Sequence, residues 1–451
     1  MVGGEVEAAK WRCERVIERI QRLENINESC RRTLLKLAIS DLHFLSTFSS
    51  SSATLSINIG HLEAVVYILQ QPVVTGVSRV CKPIPLATKT SSSSSSSSSS
   101  KGVHVDVVCT LKGIPVWILV SDRNPKYVSW HGSHKDKGLK WRIEQLLNSA
   151  AQYSHTLKPS SVVLFFSRGL ASSVHEKLRC EFGASDFGLD FCVFDFHFHE
   201  EVEGDWTEIL GRSYGEACAL ELKLDSGREA DLGSDSILVA EGLEFKEGVT
   251  ERNLGRSFFS LLLEMKNSEF AKPVDLLCLD GLINFDTTAL IAIVSGISNS
   301  CAEKLLATPE NELRQRFKGN TEFVISQAKS EIQHPIHLDL GNVISGRMGM
   351  ICESVLSEFK DLVSMCGGPN EKLRANYLLQ QIMIVPDSPS ERIIGLPTTR
   401  KLALKNKIVF GTADYWHAPT LTANMAFVRA ISQTGMSLYT IEHRPRALTG
   451  D

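Results

Sequence analysis

Three acidic residues in the second half of the 451-residue sequence could together bind a divalent cation. Asp286 directly follows the apolar run 282–285, Glu358 lies within a helical pattern, and Asp414 comes shortly after the apolar run 408–410. Mg²⁺ and Mn²⁺ prefer oxygen ligands and keep water molecules in their coordination shell. If the three carboxylates converge, we predict a Mg²⁺ or Mn²⁺ site that activates water for phosphodiester hydrolysis.

Asp286 has the position at which α/β folds commonly bind ligands. Residues 282–285 have the pattern of a buried strand and residues 289–294 that of a helix, so Asp286 is predicted to lie where the strand ends. In open parallel sheets the carboxyl ends of the strands face the crevice in which ligands bind. The sequence therefore predicts a functional site beside Asp286.

The pattern after residue 253 predicts the elements that position all three carboxylates. Strand and helix patterns alternate there, which favours an α/β fold with a parallel sheet covered by helices. The predicted strands are 282–285, 382–385, 408–410 and 437–441, and the predicted helices are 254–265, 289–294, 353–363, 373–380 and 419–432, with a polar helical region at 303–330.

The amino-terminal half predicts a helical hairpin followed by a small α/β module. The hairpin covers residues 6–48 with a break after Asn27, because two apolar stripes with helical spacing flank that residue. The module has predicted strands at 103–108, 116–120, 162–166 and 191–198 and a helix at 139–147. We expect a disordered Ser-rich loop at 88–101 and an acidic linker at 201–252, which gives predicted domains at 1–200 and 253–451.

The overall composition predicts an intracellular globular protein. Hydrophobic residues make up 43% and charged residues 22%, and the net charge of −4 gives no global field that would steer a polyanion. The eleven cysteines lack a Cys-x-x-Cys pair or zinc-ligand spacing, so reduced thiols in the nucleus or the cytoplasm are expected. The apolar runs are too short to span a bilayer, and we expect no membrane partner.

Several segments of the second half resemble successive motifs of the PIN-domain superfamily. These are residues 284–290, 353–358 and 411–414, and the last of them is followed by a small-residue helical pattern. The segment 410–449 is also similar to an uncharacterised eukaryotic family that ends in a PIN-like domain. The resemblance implies a Rossmann-like sheet, a metal-dependent ribonuclease, and Asp286, Glu358 and Asp414 as its metal ligands.

One departure from the PIN pattern leaves two hypotheses open. Many PIN nucleases have an aspartate after the last strand in a Thr-x-Asp pattern, whereas here Thr440-Ile441-Glu442 has a glutamate. Under the first hypothesis Glu442 is a fourth ligand of an active ribonuclease. Under the second, the domain is a catalytically inactive PIN-like scaffold or an RNA-binding protein.

Basic residues flank the same predicted site. They are Arg400, Lys401, Lys405 and Lys407 before the predicted strand 408–410, and Arg444 and Arg446 after the last predicted strand. Such side chains could hold the phosphates of single-stranded RNA. The alternative is a solvated basic loop balanced against the acidic linker, which the sequence alone favours.

Two further clusters give weaker signals. His197 and His199 share one face of a predicted strand, but no other ligand has a fixed spacing from them. Glu63, Asp106 and the pair Asp122-Arg123 resemble the acidic and basic residues of restriction-endonuclease-like folds, although the acidic-x-Lys element is absent. Basic residues that could still assist nucleic-acid binding there are Arg123, Lys135, Lys137 and Lys140.

Overall fold

The structure is a computed structural model that describes part of the chain. The described residues are 2–47, 58–84, 102–132, 138–152, 158–187, 214, 216–224, 254–265 and 281–451. The chain divides into an amino-terminal unit, Met1–Glu229 with Ser432–Leu438, and a carboxyl-terminal unit, Ala230–Ile431 with Tyr439–Asp451. The Ser-rich loop 88–101, the strand 191–198 with His197 and His199, and most of the linker 201–252 lie outside the described residues, so those predictions and the predicted domain boundaries stay predictions.

The amino-terminal unit begins with the predicted helical hairpin, which is confirmed. Asn27 separates the two helices, and its side chain accepts a hydrogen bond from the backbone N–H of Cys30 at 2.9 Å, as an N-cap does. In chain order the described elements are α1 (Val2–Arg22), α2 (Glu28–Thr47), α3 (Ile59–Leu69), β1 (Val74–Ile84), β2 (Val103–Leu111), β3 (Ile114–Ser121), α4 (Leu139–Gln152), β4 (Ser161–Phe166), α5 (Ser172–Phe182), β5 (Ser185–Asp186) and β6 (Cys218–Lys223).

These strands form one mixed sheet with the order β1-β2-β3-β4-β6-β5. The strands β1, β2 and β3 pair antiparallel, whereas β3 and β4 are parallel and are joined through α4. One face of the sheet packs on α1, α2 and α3, and the other packs on α4 and α5. Because β3 and β4 are parallel, their carboxyl ends lie at the same edge of the sheet.

The carboxyl-terminal unit has the predicted parallel, helix-covered sheet. Its five strands have the order β11-β10-β7-β8-β9, and every neighbouring pair is parallel. The described elements are α6 (Arg256–Glu264), β7 (Leu282–Phe285), α7 (Thr287–Val294), α8 (Ala302–Ala307), α9 (Glu310–Phe317), α10 (Thr321–Gln333), α11 (Ile336–Ile344), β8 (Met348–Cys352), α12 (Glu353–Cys366), α13 (Pro369–Gln380), β9 (Met383–Val385), α14 (Glu391–Ile394), α15 (Leu404–Tyr415), β10 (Thr420–Thr422), α16 (Met425–Thr434) and β11 (Thr440–Glu442). This arrangement is consistent with a Rossmann-like fold.

The predicted strand at 408–410 is wrong, because those residues lie in the middle of helix α15. A run of three apolar residues does not distinguish a strand from the buried side of a helix. Gly411 allows the helix to pack closely, since a Cβ atom there would lie 2.7 Å from Pro389 Cβ. The true strand is β10, inside the segment predicted as the helix 419–432, and the last strand runs from Thr440 to Glu442 instead of over 437–441.

The segment Thr287–Ala307 is the described run that is long and apolar enough to cross a membrane, at 21 residues. However, 67% of its most apolar window is buried inside the protein. The backbone also leaves helical geometry at Asn299 and Ser300. Burial and an interrupted helix are typical of an element packed in the core of a domain.

Candidate functional site

Asp286 lies at the predicted junction between β7 and α7, where its carboxylate caps the helix. The Oδ1 atom accepts hydrogen bonds from the Ala289 backbone N–H at 2.9 Å and from the Thr288 hydroxyl at 2.6 Å. The Oδ2 atom accepts a third hydrogen bond from the Thr422 hydroxyl. The residue is only 5% exposed, so this carboxylate is satisfied inside the protein and not by water.

Parallel strand pairing brings Thr422 to Asp286. Strand β10 pairs with β7 so that Leu421 is opposite Phe285, and the Asp286 backbone N–H donates to the Leu421 carbonyl at 3.3 Å. The next residue of each strand therefore reaches the same carboxyl edge of the sheet. The hydroxyl–carboxylate bond then links the end of β10 to the start of α7.

His443 completes this group, which we call the strand-end cluster: Asp286, Thr288, Thr422 and His443. The His443 backbone N–H donates to the Thr422 carbonyl at 3.0 Å. Its Nδ1 atom lies 2.9 Å from the Arg444 carbonyl, and because a carbonyl only accepts, Nδ1 carries a proton. Its Nε2 atom lies 3.3 Å from the Thr288 hydroxyl.

Burial dominates the electrostatics of the strand-end cluster. It raises the pKa of Asp286 above its ordinary value, while the hydrogen bonds from Thr288, Thr422 and Ala289 act in the opposite direction. Burial also lowers the pKa of His443. The two groups therefore share a site with little water, in which hydroxyl and amide donors replace solvent around the carboxylate.

Glu358 lies beside the same helix start. Its Oε2 atom accepts a hydrogen bond from the Thr287 hydroxyl at 2.7 Å, and Thr287 is the first residue of α7. Its Oε1 atom pairs with the ammonium group of Lys405. The side chain is 27% exposed and that of Lys405 55% exposed, so this ion pair is accessible to water. The structure thus brings Glu358 and Asp286 to one end of α7.

Asp414 does not join them. Its carboxylate accepts hydrogen bonds from the Ser390 hydroxyl at 2.6 Å and from Arg392 Nε at 2.7 Å, and a second Arg392 nitrogen completes a bidentate pair. Asp414 lies in α15, and its position nine residues after Lys405 corresponds to about 13 Å along the helix axis. The expectation that Asp414 follows a strand is therefore wrong, because a helix carries it away from Glu358.

Glu442 ends strand β11 and is exposed. It pairs in register with Thr422, so two strand spacings, about 10 Å, separate its backbone from that of Asp286.

No group of three or more His, Cys, Asp or Glu side chains in the described part of the chain could hold a metal ion. The oxygen atoms of Asp286, Glu358 and Asp414 are occupied by donors of the chain itself, and this donor set does not fit a bound Mg²⁺ or Mn²⁺.

The predicted basic residues divide into exposed and buried ones. Arg400, Lys401, Lys405 and Arg444 are exposed, and Arg444 lies 3.6 Å from Asp339. Lys407 is buried and donates to the backbone carbonyls of Ile394 and Leu396, and Arg446 is buried against Glu331. The prediction that Lys407 and Arg446 contact nucleic acid is thus corrected, since both side chains bond inside the domain.

Sequence reasoning missed three members of the strand-end cluster: Thr288, Thr422 and His443. The signal for Thr288 was its place two residues after the capping aspartate, where its hydroxyl can reach the same carboxylate. Thr422 was hidden because residues 419–432 were predicted as one helix. His443 depends on the position of β11, which periodicity misplaced by a few residues.

The acidic residues of the amino-terminal unit are held in separate local pairs. Arg12 Nε donates to Glu63 at 2.8 Å, and the Val120 backbone N–H donates to buried Asp106 at 2.7 Å. Asp122 accepts from the Ser167 hydroxyl at 2.6 Å. These pairings tie Glu63, Asp122 and one oxygen of Asp106 to neighbouring parts of the fold, while the other Asp106 oxygen lies 3.0 Å from His61 Nε2.

Residues 283–451 match the family described as a protein of unknown function, DUF1308. The match begins within β7 and therefore includes the other four strands of the parallel sheet and the whole strand-end cluster. No solved structure matches the chain. These findings support the expectation of an uncharacterised family with a carboxyl-terminal domain of unknown function.

Proposed function

We propose that the carboxyl-terminal domain is a PIN-like module that binds single-stranded RNA at the carboxyl edge of its sheet without cleaving it. One observation carries this proposal: the chain's own donors occupy each of the three carboxylates expected to hold metal. Asp286 is buried and accepts hydrogen bonds from the chain as the N-cap of α7, Glu358 pairs with Lys405, and Asp414 pairs with Arg392. A catalytic metal needs free oxygen ligands, which this arrangement does not supply.

The RNA-binding part of the proposal rests on exposed positive charge around α7. Lys405 reaches the first turn of α7 through Glu358 and Thr287. Arg444 follows His443, which contacts the second residue of that helix. Two exposed cations, each linked to this helix start through neighbouring residues, suit the spaced phosphates of a single strand.

A second candidate is the Mg²⁺- or Mn²⁺-dependent ribonuclease that the PIN resemblance implies. Its support is the closeness of two carboxylates, since Asp286 and Glu358 contact consecutive residues of one helix start. The pair between Glu358 and Lys405 is exposed to water, and such pairs contribute at most about 1 kcal/mol. Cleavage of RNA by the purified protein would favour this candidate.

The test uses the full chain and a fluorescently labelled single-stranded RNA. Lys405→Gln combined with Arg444→Gln should weaken binding and reduce the slope of log affinity against log salt by about 1.4, the value for two lost phosphate contacts on a single strand. The matched control is Lys360→Gln, an exposed lysine of α12. Equal affinities and equal slopes for the double variant and the wild type would contradict the proposed binding surface.

A further inference from the structure

His443 has an acceptor atom to which no described residue donates a hydrogen. Its ring is uncharged at neutral pH, because burial lowers its pKa, and the single ring proton is on Nδ1, which donates to the Arg444 carbonyl at 2.9 Å. The other nitrogen, Nε2, therefore has a lone pair and can only accept. Its neighbour within hydrogen-bond distance in the described part of the chain is the Thr288 hydroxyl, at 3.3 Å.

The proton of that hydroxyl is already used. Thr288 donates it to Asp286 Oδ1 at 2.6 Å, which is much shorter than the 3.3 Å to His443, and a bond to a carboxylate is stronger than one to a neutral ring. The Ala423 backbone N–H donates to the same hydroxyl oxygen at 2.8 Å. A hydroxyl oxygen has two lone pairs, so one of them receives no hydrogen from the described residues.

Thr288 Oγ1 and His443 Nε2 thus form what we call the acceptor pair. The two atoms lie 3.3 Å apart and have no hydrogen between them, so a donor from outside the chain can bond to either or to both. Both side chains are half-buried and not enclosed, which lets a ligand reach them from solvent. The acceptor pair therefore selects a ligand with a hydroxyl or an N–H group at this point.

The surroundings of the acceptor pair favour the hydroxyl of a nucleic-acid sugar, provided that the domain binds RNA as proposed above. Arg444 directly follows His443, and Lys405 is linked to the start of α7 through Glu358 and Thr287. Phosphates held by these cations only accept hydrogen bonds and cannot use the acceptor pair. The sugars lie between successive phosphates, and ribose has a 2′-hydroxyl that deoxyribose lacks.

We infer that the acceptor pair receives a hydrogen bond from the 2′-hydroxyl of RNA, which makes His443 the residue through which the domain prefers RNA to DNA. The cations cannot supply this preference, because phosphates are common to both polymers. The inference rests on the proposed function and adds to it the atom that distinguishes the two sugars.

The test compares the affinities of the full chain for three fluorescently labelled oligouridines of equal length. The first is RNA, the second has deoxyribose, and the third has 2′-fluoro sugars, which keep a ribose-like conformation but have no 2′ hydrogen to donate. The wild type should bind the RNA about fivefold more tightly than either analogue, as expected for one hydrogen bond of ordinary net strength.

Two variants of His443 separate the acceptor from the ring. His443→Phe removes Nε2 and should reduce the preference for RNA to less than about twofold, by weakening the binding of RNA alone. His443→Gln can present an amide oxygen at the same place and should keep the preference above about twofold. Thermal unfolding of each variant establishes that the protein is folded.

Two controls use other residues of the same domain. His334→Phe changes an exposed histidine outside the strand-end cluster and should leave the preference as in the wild type. Arg444→Gln should weaken all three oligonucleotides by the same factor, because a phosphate contact does not depend on the sugar.

The outcomes separate this inference from the proposed function. Equal wild-type affinities for the three oligonucleotides, or an unchanged preference in folded His443→Phe, would overturn the inference although RNA is bound. Tight binding of the 2′-fluoro strand together with weak binding of DNA would assign the preference to sugar conformation and would also overturn it. Absence of binding to all three would contradict the proposed function, and the inference with it.

Discussion

Replacement of Asp286 by alanine should destabilise the carboxyl-terminal domain by about 3 kcal/mol. The loss of the N-cap costs about 1 kcal/mol. The hydroxyls of Thr288 and Thr422 each lose a bond to a charged acceptor, at about 1.5 kcal/mol apiece. Part of this cost is offset, because burial raises the pKa of Asp286 and thus makes its charged form unfavourable. Asp286→Asn keeps an oxygen for the Ala289 N–H and should cost only about 1 kcal/mol.

Hydrogen exchange of the backbone amides in α7, measured on the full chain, reports this change directly. A loss of 3 kcal/mol in opening free energy accelerates exchange about 150-fold, and a loss of 1 kcal/mol about fivefold. The matched control is Asp361→Asn, an exposed carboxylate of α12, which should change exchange by less than about threefold. If the alanine variant exchanges like the wild type, or if Asp286→Asn slows exchange, the carboxylate is not the structural cap described above. Slower exchange in Asp286→Asn is the result expected if Asp286 were a metal ligand. Its negative charge would then be unfavourable without the metal, and removal of that charge would stabilise the domain.

Three further outcomes follow from buried groups of the same domain. Burial lowers the pKa of His337 to about 4, so between pH 6.5 and 4 the unfolded chain binds more protons than the folded chain. The free energy of unfolding should therefore fall by about 3 kcal/mol as the pH is lowered from 6.5 to 4. Urea titrations of His337→Phe should show no such loss. Arg392→Ala leaves Asp414 buried without its cation and should cost about 3 kcal/mol, measured by urea unfolding at pH 7. Gly411→Ala forces a Cβ against Pro389 and should lower stability by about 1 to 3 kcal/mol, measured in the same way. A wild-type pH profile for His337→Phe, or unchanged midpoints for the other two variants, would contradict these assignments.

The junction at Asp286 could be predicted from the sequence, because the residues that form the strand, the cap and the helix are adjacent along the chain. Four apolar residues, a carboxylate and a helix pattern follow one another, and the structure has β7, a capping aspartate and α7 in that order. The parallel sheet could also be predicted, because alternating strand and helix patterns leave few other folds.

The partners of Asp286 could not be predicted, because they come from distant segments. Thr422 and His443 lie more than 130 residues along the chain, and only the pairing of β10 and β11 brings them to β7. Asp414 was misplaced for a local reason, because the apolar run 408–410 before it fits a strand or a helix equally well. Lys407 looked like a surface lysine because sequence alone does not show which side of α15 faces the core.

We propose that the carboxyl-terminal domain binds RNA but does not cleave it. One sample tests it: a labelled single-stranded RNA with the full chain, followed by anisotropy first in EDTA and then in excess Mn²⁺, with the RNA length measured at the end on a denaturing gel. We expect the same binding in both conditions and intact RNA. Cleavage that requires Mn²⁺ and disappears in Asp286→Asn, or absence of binding in EDTA, would contradict it.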